Sequence, residues 1–267
     1  MTSLDKLTDS ELIEIGNEFR QTKPFNHLII DNFLDEEIVN LISSEFPSFE
    51  DPLWSVYNNP LEIKKLTNHW NNFGPTTYRY FQHVLSSDFN RRIELILFGT
   101  NQNKISSDFG LNGGGLHTHK SHGKLNPHLD YNIHPKLKLQ RVANLIVYIT
   151  PDWQENWGGS FGLWEHNAET NNPGKLSKKV APLFNRAVIF NTTQNSWHGI
   201  CDELNSPENK NRSSLATYYL AEPIGETENR MKAKFAPTEE QIGDKSILDL
   251  IEKRQSMSSY KNVYEIK

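Results

Sequence analysis

Asn126-Pro127-His128-Leu129-Asp130-Tyr131 is the stretch on which the reading of this chain turns. His128 and Asp130 stand two apart in a run that reads as strand, and strand side chains at i and i+2 project from the same face. An imidazole and a carboxylate would therefore converge on one point from a stiff backbone. His-x-Asp alone is common by chance. Its value rises with His198, in Asn195-Ser196-Trp197-His198-Gly199, which follows the β-prone run Ala187-Val188-Ile189-Phe190. His198 lies 68 residues (198 minus 130) beyond Asp130, enough for several strands to intervene and bring the two ends together.

Two imidazoles and one carboxylate form the facial set that binds ferrous iron and leaves the opposite coordination positions open. Five histidines fall between Leu116 and Pro135, namely His117, His119, His122, His128 and His134. Histidine is the commonest metal-ligating side chain, so the cluster points toward a metal site. His117 and His119 are also an i, i+2 pair, but they follow Gly113-Gly114-Gly115, which favours loop over strand. Of the five, only His128 has a carboxylate at i+2. A structural zinc site would close its shell with four ligands, commonly cysteines, and Cys201 is the only cysteine here.

Arg212 adds the next constraint. It leads the alternating run Ser213-Ser214-Leu215-Ala216-Thr217-Tyr218-Tyr219, and a guanidinium grips a carboxylate through two parallel hydrogen bonds. Ser214 would point to the same side, and Tyr148, at the end of an apolar run, would add a phenol from across the pocket. A solvated arginine at a sheet edge is the alternative. Asn144 shares strand parity with Tyr148 and should face the same pocket. Tyr131, Asn132, Trp164 and Trp197 neighbour the candidate ligands in sequence and are candidates for shaping a substrate pocket, with ordinary packing as the competing reading.

Composition sets bounds around this site. The 267 residues suit one large domain, and 36% hydrophobic with 11% aromatic residues is enough to bury a sizeable core. A formal charge of −5 gives no reason to expect nucleic acid or an anionic membrane as partner. One cysteine suits a reducing cytosol, and neither a signal-peptide pattern nor a run long enough to span a bilayer is visible. The expectation is a cytoplasmic protein; nothing in the sequence fixes its oligomeric state.

Along the chain, helices are expected from Asp9, from Asp35 to Phe46, over Thr76 to Leu85, and from Ser86 or Ser87 through Leu97, with a strand over Phe25 to Phe33. Asp51 to Pro75 reads as irregular, punctuated by prolines, and is a candidate for part of a lid, with simple packing on the core as the alternative. Short β-rich runs follow at 123–130, 141–150, 159–164, 179–183, 186–191 and 212–220. Such spacing without intervening helices argues for an antiparallel sandwich or barrel. A last helix is expected over Ser246 to Lys253, on the outside.

Taken together, these residues resemble the iron(II)- and 2-oxoglutarate-dependent oxygenases, specifically the prolyl-4-hydroxylase-like branch. The matching elements are His128-Leu129-Asp130, Arg141 through Tyr148-Ile149-Thr150, Trp153, Gly158-Gly159, His198-Gly199 and Arg212-Ser213-Ser214. The resemblance is firm over Gly113 to Tyr219 and looser over Phe25 to Pro47. It implies a mainly β fold with flanking helices: a double-stranded β-helix (jelly-roll, cupin-like) core with N-terminal helical support and a C-terminal helix. A single domain over 1–267 would comprise support over 1–111, core over 112–221 and a helical extension over 222–267.

The resemblance also implies roles. His128, Asp130 and His198 would ligate Fe(II); Arg212 would pair with the distal carboxylate of 2-oxoglutarate, helped by Tyr148 and Ser214, with Phe161 as an apolar wall. O2 would be the oxidant, with ascorbate as an accompanying reductant, and the substrate a peptidyl proline or a small metabolite. A carboxylate at Asp130 favours hydroxylation over halogenation, because a halide would need that coordination place. Two departures stand out. The gap from His198 to Arg212 is long, with a polar loop over 206–211, and a tyrosine often found upstream of His-x-Asp is absent, leaving His117 or Asn126 as stand-ins. Two other readings remain: a non-redox, cupin-like module with an incidental metal or ligand, and an inactive relative serving as an interaction protein.

Overall fold

Apolar residues at helical spacing in the first hundred positions fold as a helical layer laid against a sheet. The computed structural model describes residues 1–102, 104–192, 195–225 and 229–256, so the end of the C-terminal extension lies outside the described residues. The first elements are α1 (Asp9–Phe19), β1 (His27–Ile30), α2 (Glu36–Glu45), β2 (Ser55–Asn59), β3 (Glu62–Thr67), α3 (Pro75–Val84) and α4 (Ser87–Phe98). Thr8 caps α1 in a reciprocal pair with Glu11, and Ser86 caps α4 through the Phe89 amide.

The β-rich half follows as β4 (Ser106–Ser107), β5 (Gly115–His119), β6 (Lys124–Leu125), β7 (His128–Leu129), β8 (Gln140–Tyr148), β9 (Phe161–Asn167), β10 (Asn172–Val180), β11 (Ala187–Asn191), β12 (His198–Ile200), β13 (Arg212–Ala221) and β14 (Lys234–Phe235), then α5 (Lys245–Ser256). The larger sheet runs β1-β11-β8-β13-β5-β3-β2, with β4 beside β13 and β6 beside β3. The smaller runs β10-β9-β12-β7-β14. Both are antiparallel and curl toward each other as the half-barrels of a double-stranded β-helix, mainly β with five α-helices.

Period-two alternation explains the layering. On β11, Ala187 and Ile189 join the core beneath the helices, whereas Val188 and Phe190 face inward with Phe161 and Leu163 of β9. On β8, Ala143, Leu145 and Val147 pack outward and Ile146 and Tyr148 inward. Strand β13 repeats the rule: Leu215 and Tyr219 join the helical core, while Ser214, Ala216 and Tyr218 line an internal cavity.

The structure corrects five expectations. The stretch 51–75 holds the hairpin β2–β3, which extends the larger sheet and is thereby tied down by ladder hydrogen bonds to β5. His117 and His119 sit on a strand, because Gly115 serves close approach and not a loop: a Cβ there would lie 2.2 Å from the Thr67 carbonyl oxygen. The run 123–130 is broken at Asn126-Pro127 into β6 and β7, and of the run at 179–183 only Lys179 and Val180 are strand, as the end of the longer β10. Helix α5 is not merely external, since Ile247 and Leu250 bury against Leu61 and Phe235, and Arg254 is buried. Among the described residues no helix is long and apolar enough to cross a membrane.

Candidate active site

The two ends of the His-x-Asp reading meet across one ladder. His198 of β12 is the direct cross-strand partner of His128 on β7, and their ring centroids are 4.3 Å apart. Gly199 makes this approach feasible, since a Cβ there would fall 2.7 Å from the carbonyl oxygens of Leu125 and Asn126. His128 Nε2 lies 3.7 Å from Asp130 Oδ1, and His198 Nε2 lies 3.6 Å from Asp130 Oδ2. One ligand atom from each of the three residues falls within 4.8 Å of the others.

The tautomers suit ligation. His128 Nδ1 is 3.0 Å from the Asn126 carbonyl and His198 Nδ1 is 2.8 Å from the Ser196 carbonyl, so each Nδ1–H donates and each Nε2 keeps its lone pair. Burial, with His198 facing it, pushes His128 down to about 3, and burial also lowers His198, so both imidazoles are neutral near pH 7. Burial alone would raise the Asp130 carboxyl. Arg141 and the two imidazoles outweigh it and hold the group well below the usual carboxylate range. Asp130 Oδ2 accepts no hydrogen bond among the described residues. Three acceptor atoms thus converge, with the two imidazole Nε2 atoms offering lone pairs toward the carboxylate, an arrangement that a divalent cation satisfies.

Arg141 is a residue whose role the sequence did not disclose. Its Nη1 lies 3.1 Å from Asp130 Oδ2. Its guanidinium carbon is clamped 3.5 Å from the Tyr131 ring centroid and 3.3 Å from that of Tyr218, with the side chain 1% exposed. Arg141 therefore fixes the direction of the carboxylate. Arg141→Met is expected to weaken Mn(II) affinity about 10- to 100-fold, the range for groups that orient metal ligands, as measured by calorimetric titration.

Arg212, 5% exposed, lines the same cavity. Its Nε donates to the Gly159 carbonyl at 2.6 Å and its Nη2 to the Tyr148 hydroxyl at 3.3 Å. Ser214 is the cross-strand partner of both Tyr148 and His117, so these three share one inward-facing row. Phe161 lies 5.6 Å from the His198 ring, between the triad and the interior. Tyr148, Ser214, Phe161, His117, Asn144 and Tyr131 all line this cavity, which measures about 180 Å³.

Three candidates for the substrate pocket sit elsewhere. Asn126 donates from its amide to the Ala236 carbonyl and the Gln241 side chain, so it ties β14 and the segment after it to the site while only its backbone carbonyl orients His128. Trp197 is wholly buried, donates to His166 Nδ1 at 3.1 Å, and packs with Leu129, Ala236 and Trp164 away from the cavity. Both indoles are held by packing. Glu62, Lys64, Phe235 and Arg254 also line the cavity but carried no sequence signal, because they come from segments read as irregular or as an external extension; His119, weighed with His117 as part of a loop, lines it as well.

A β-helix barrel holding two histidines and one carboxylate on one side of an open cavity is the architecture of a mononuclear non-haem iron oxygenase. Residues 114–220 match the model of the 2OG-Fe(II) oxygenase superfamily. Among solved structures, the chain is similar to a prolyl hydroxylase from Trichoplax adhaerens in complex with a hypoxia-inducible-factor peptide fragment, with TM-score 0.55, 15% identity, and 79% of this chain and 91% of that one covered. It is also similar to a prolyl-4-hydroxylase from Pseudomonas putida (0.53, 13%, 80% and 100%) and to HygX from Streptomyces hygroscopicus, solved with nickel and 2-oxoglutarate bound (0.50, 14%, 80% and 87%). At these identities the likeness is one of fold. Residues 114–220 thus match the 2OG-Fe(II) oxygenase superfamily, within a chain whose fold is that of prolyl hydroxylases.

Proposed function

We propose that this enzyme hydroxylates a C–H bond of a peptide or small metabolite, consuming 2-oxoglutarate and O2 and releasing succinate and CO2. The observation that carries the reading is that the three converging donors and the Arg212–Tyr148 pair line one cavity. His128, Asp130 and His198 would hold the iron, and Arg212 with Tyr148 and Ser214 would receive the distal carboxylate of 2-oxoglutarate. The chemistry that bound iron and 2-oxoglutarate supply is oxidative decarboxylation coupled to insertion of one oxygen atom into the substrate.

The chain's own residues do the rest. Nδ1–H bonds to two backbone carbonyls aim the imidazoles, and Arg141 aims the carboxylate. Arg212, already tethered at Nε, offers its remaining N–H groups as a fork matched to a carboxylate. Phe161, Phe190 and Ile146 keep the interior apolar, which excludes water and strengthens these charged contacts. A non-redox metal module would have no use for a buried arginine aimed at the space beside its metal.

The test is direct. Purified protein should form succinate from 2-oxoglutarate only when Fe(II) is present, and a chelator in excess should stop it. Undiminished succinate formation under chelation, or none with both components supplied, would remove the reading.

A further inference from the structure

One imidazole in the cavity wall has both ring nitrogens to spare. On β5, His119 is the cross-strand partner of Arg212, as His117 is of Ser214, so both histidines project from the face that lines the cavity. His119 is 2% exposed, and among the described residues neither its Nδ1 nor its Nε2 makes a hydrogen bond. His128 and His198 differ, each tying its Nδ1 to a backbone carbonyl. Gly123 leaves room for the side chain, since a Cβ there would fall 2.8 Å from the His119 Cβ.

Two buried polar atoms without partners destabilise a fold, and packing alone at this position would be served better by leucine or valine. The neighbourhood limits what can meet them. Burial, with Arg212 as the leading nearby charge, holds His119 well below the usual histidine range against a weaker pull from the Arg212 backbone. The ring is therefore neutral near pH 7 and presents one N–H and one lone pair. Arg212 is committed in part, its Nε to the Gly159 carbonyl and its Nη2 to the Tyr148 hydroxyl, which keeps its own O–H to give. A carboxylate offers about four lone-pair sites, more than the rest of one guanidinium fills. A neutral N–H beside Arg212 adds a donor without setting a like charge against it, which a lysine would do.

Resting on the oxygenase reading, we propose that His119 is a further co-substrate-binding residue, its ring N–H donating to the distal carboxylate of 2-oxoglutarate beside Arg212 and Tyr148. One of its two orphaned nitrogens is then met only when the co-substrate is bound, so stability of the empty protein is given up for affinity. Arg212 and Ser214 on β13, Tyr148 on β8 and His119 on β5 together make a set of donors from three strands. Such a set selects a 2-oxo acid that ends in a second carboxylate over one that ends in a methyl group.

The experiment measures binding and not turnover. Full-length protein loaded with Mn(II) is titrated calorimetrically with 2-oxoglutarate and with 2-oxopentanoate, the same chain with a methyl group in place of the distal carboxylate. His119→Leu should weaken 2-oxoglutarate about 10- to 100-fold, the loss of one hydrogen bond to a charged group, and leave 2-oxopentanoate within about twofold. His119→Gln, which keeps an N–H donor, should recover part of that loss. Without ligand, the Tm of His119→Leu should equal or exceed that of the native protein, because two unmet polar atoms are gone. Unchanged 2-oxoglutarate affinity in His119→Leu, equal weakening of both acids, or a leucine variant less stable than the native protein would overturn the proposal. The native protein separates the two claims. If it binds 2-oxoglutarate no better than 2-oxopentanoate, or equally well without Mn(II), the oxygenase reading fails; if it shows both preferences and His119→Leu keeps them, only the role of His119 fails.

Discussion

Asp130→Asn should lower iron-dependent succinate formation at least about 100-fold, beyond the 10- to 100-fold typical of residues that merely orient a ligand. The substitution keeps the size of the side chain and removes its charge. Among the described residues Asp130 is the carboxylate facing His128, His198 and Arg141, and it is the protein's own counter-charge to the ion. An amide in its place leaves a dication and the buried Arg141 guanidinium in one pocket without a counter-charge, a costly arrangement at low effective dielectric. Mn(II) affinity should fall with activity, whereas a loss of activity with metal affinity intact would show that Asp130 acts otherwise.

The second large effect falls on the co-substrate. Arg212→Leu should weaken 2-oxoglutarate binding by about 2–5 kcal/mol, or roughly 30- to 5,000-fold, because it removes one member of a buried charge-assisted pair. Mn(II) affinity should hardly move, since Arg212 is not one of the converging ligand residues and bonds instead to Gly159 and Tyr148. Arg212→Lys should recover part of the loss: an ammonium keeps the charge but not the two-pronged geometry. The measurement is the KM for 2-oxoglutarate beside the Mn(II) dissociation constant. An unchanged KM would place the distal carboxylate elsewhere.

Much of this arrangement was legible in the chain itself. Strand parity put His128 with Asp130 and Asn144 with Tyr148, and the structure finds each pair on one cavity wall. The alternating runs of β8, β11 and β13 disclosed the sandwich because one face of each meets the helices and the other the interior. The β2–β3 hairpin was illegible because Lys64, Lys65 and the exposed Val56 and Ile63 break the apolar alternation of a half-buried strand; its pairing with β5, not its composition, makes it a strand. Arg141 was quoted as a strand's first residue, yet its clamp depends on Tyr131 and Tyr218 from two other segments, which no local pattern reveals. The Glu62–Arg254 pair spans 192 residues and lies beyond the reach of any periodicity.

The central claim is that two histidines and one aspartate grip the same ferrous ion. An anaerobic crystal structure with Fe(II), recorded at the iron absorption edge, tests it most directly. The anomalous peak should lie about 2.0–2.2 Å from His128 Nε2, from His198 Nε2 and from an Asp130 carboxylate oxygen, the bond lengths usual for such ligands on a divalent first-row metal. A peak that leaves His198 unbound, or that sits on His117 and His119 instead, would contradict it.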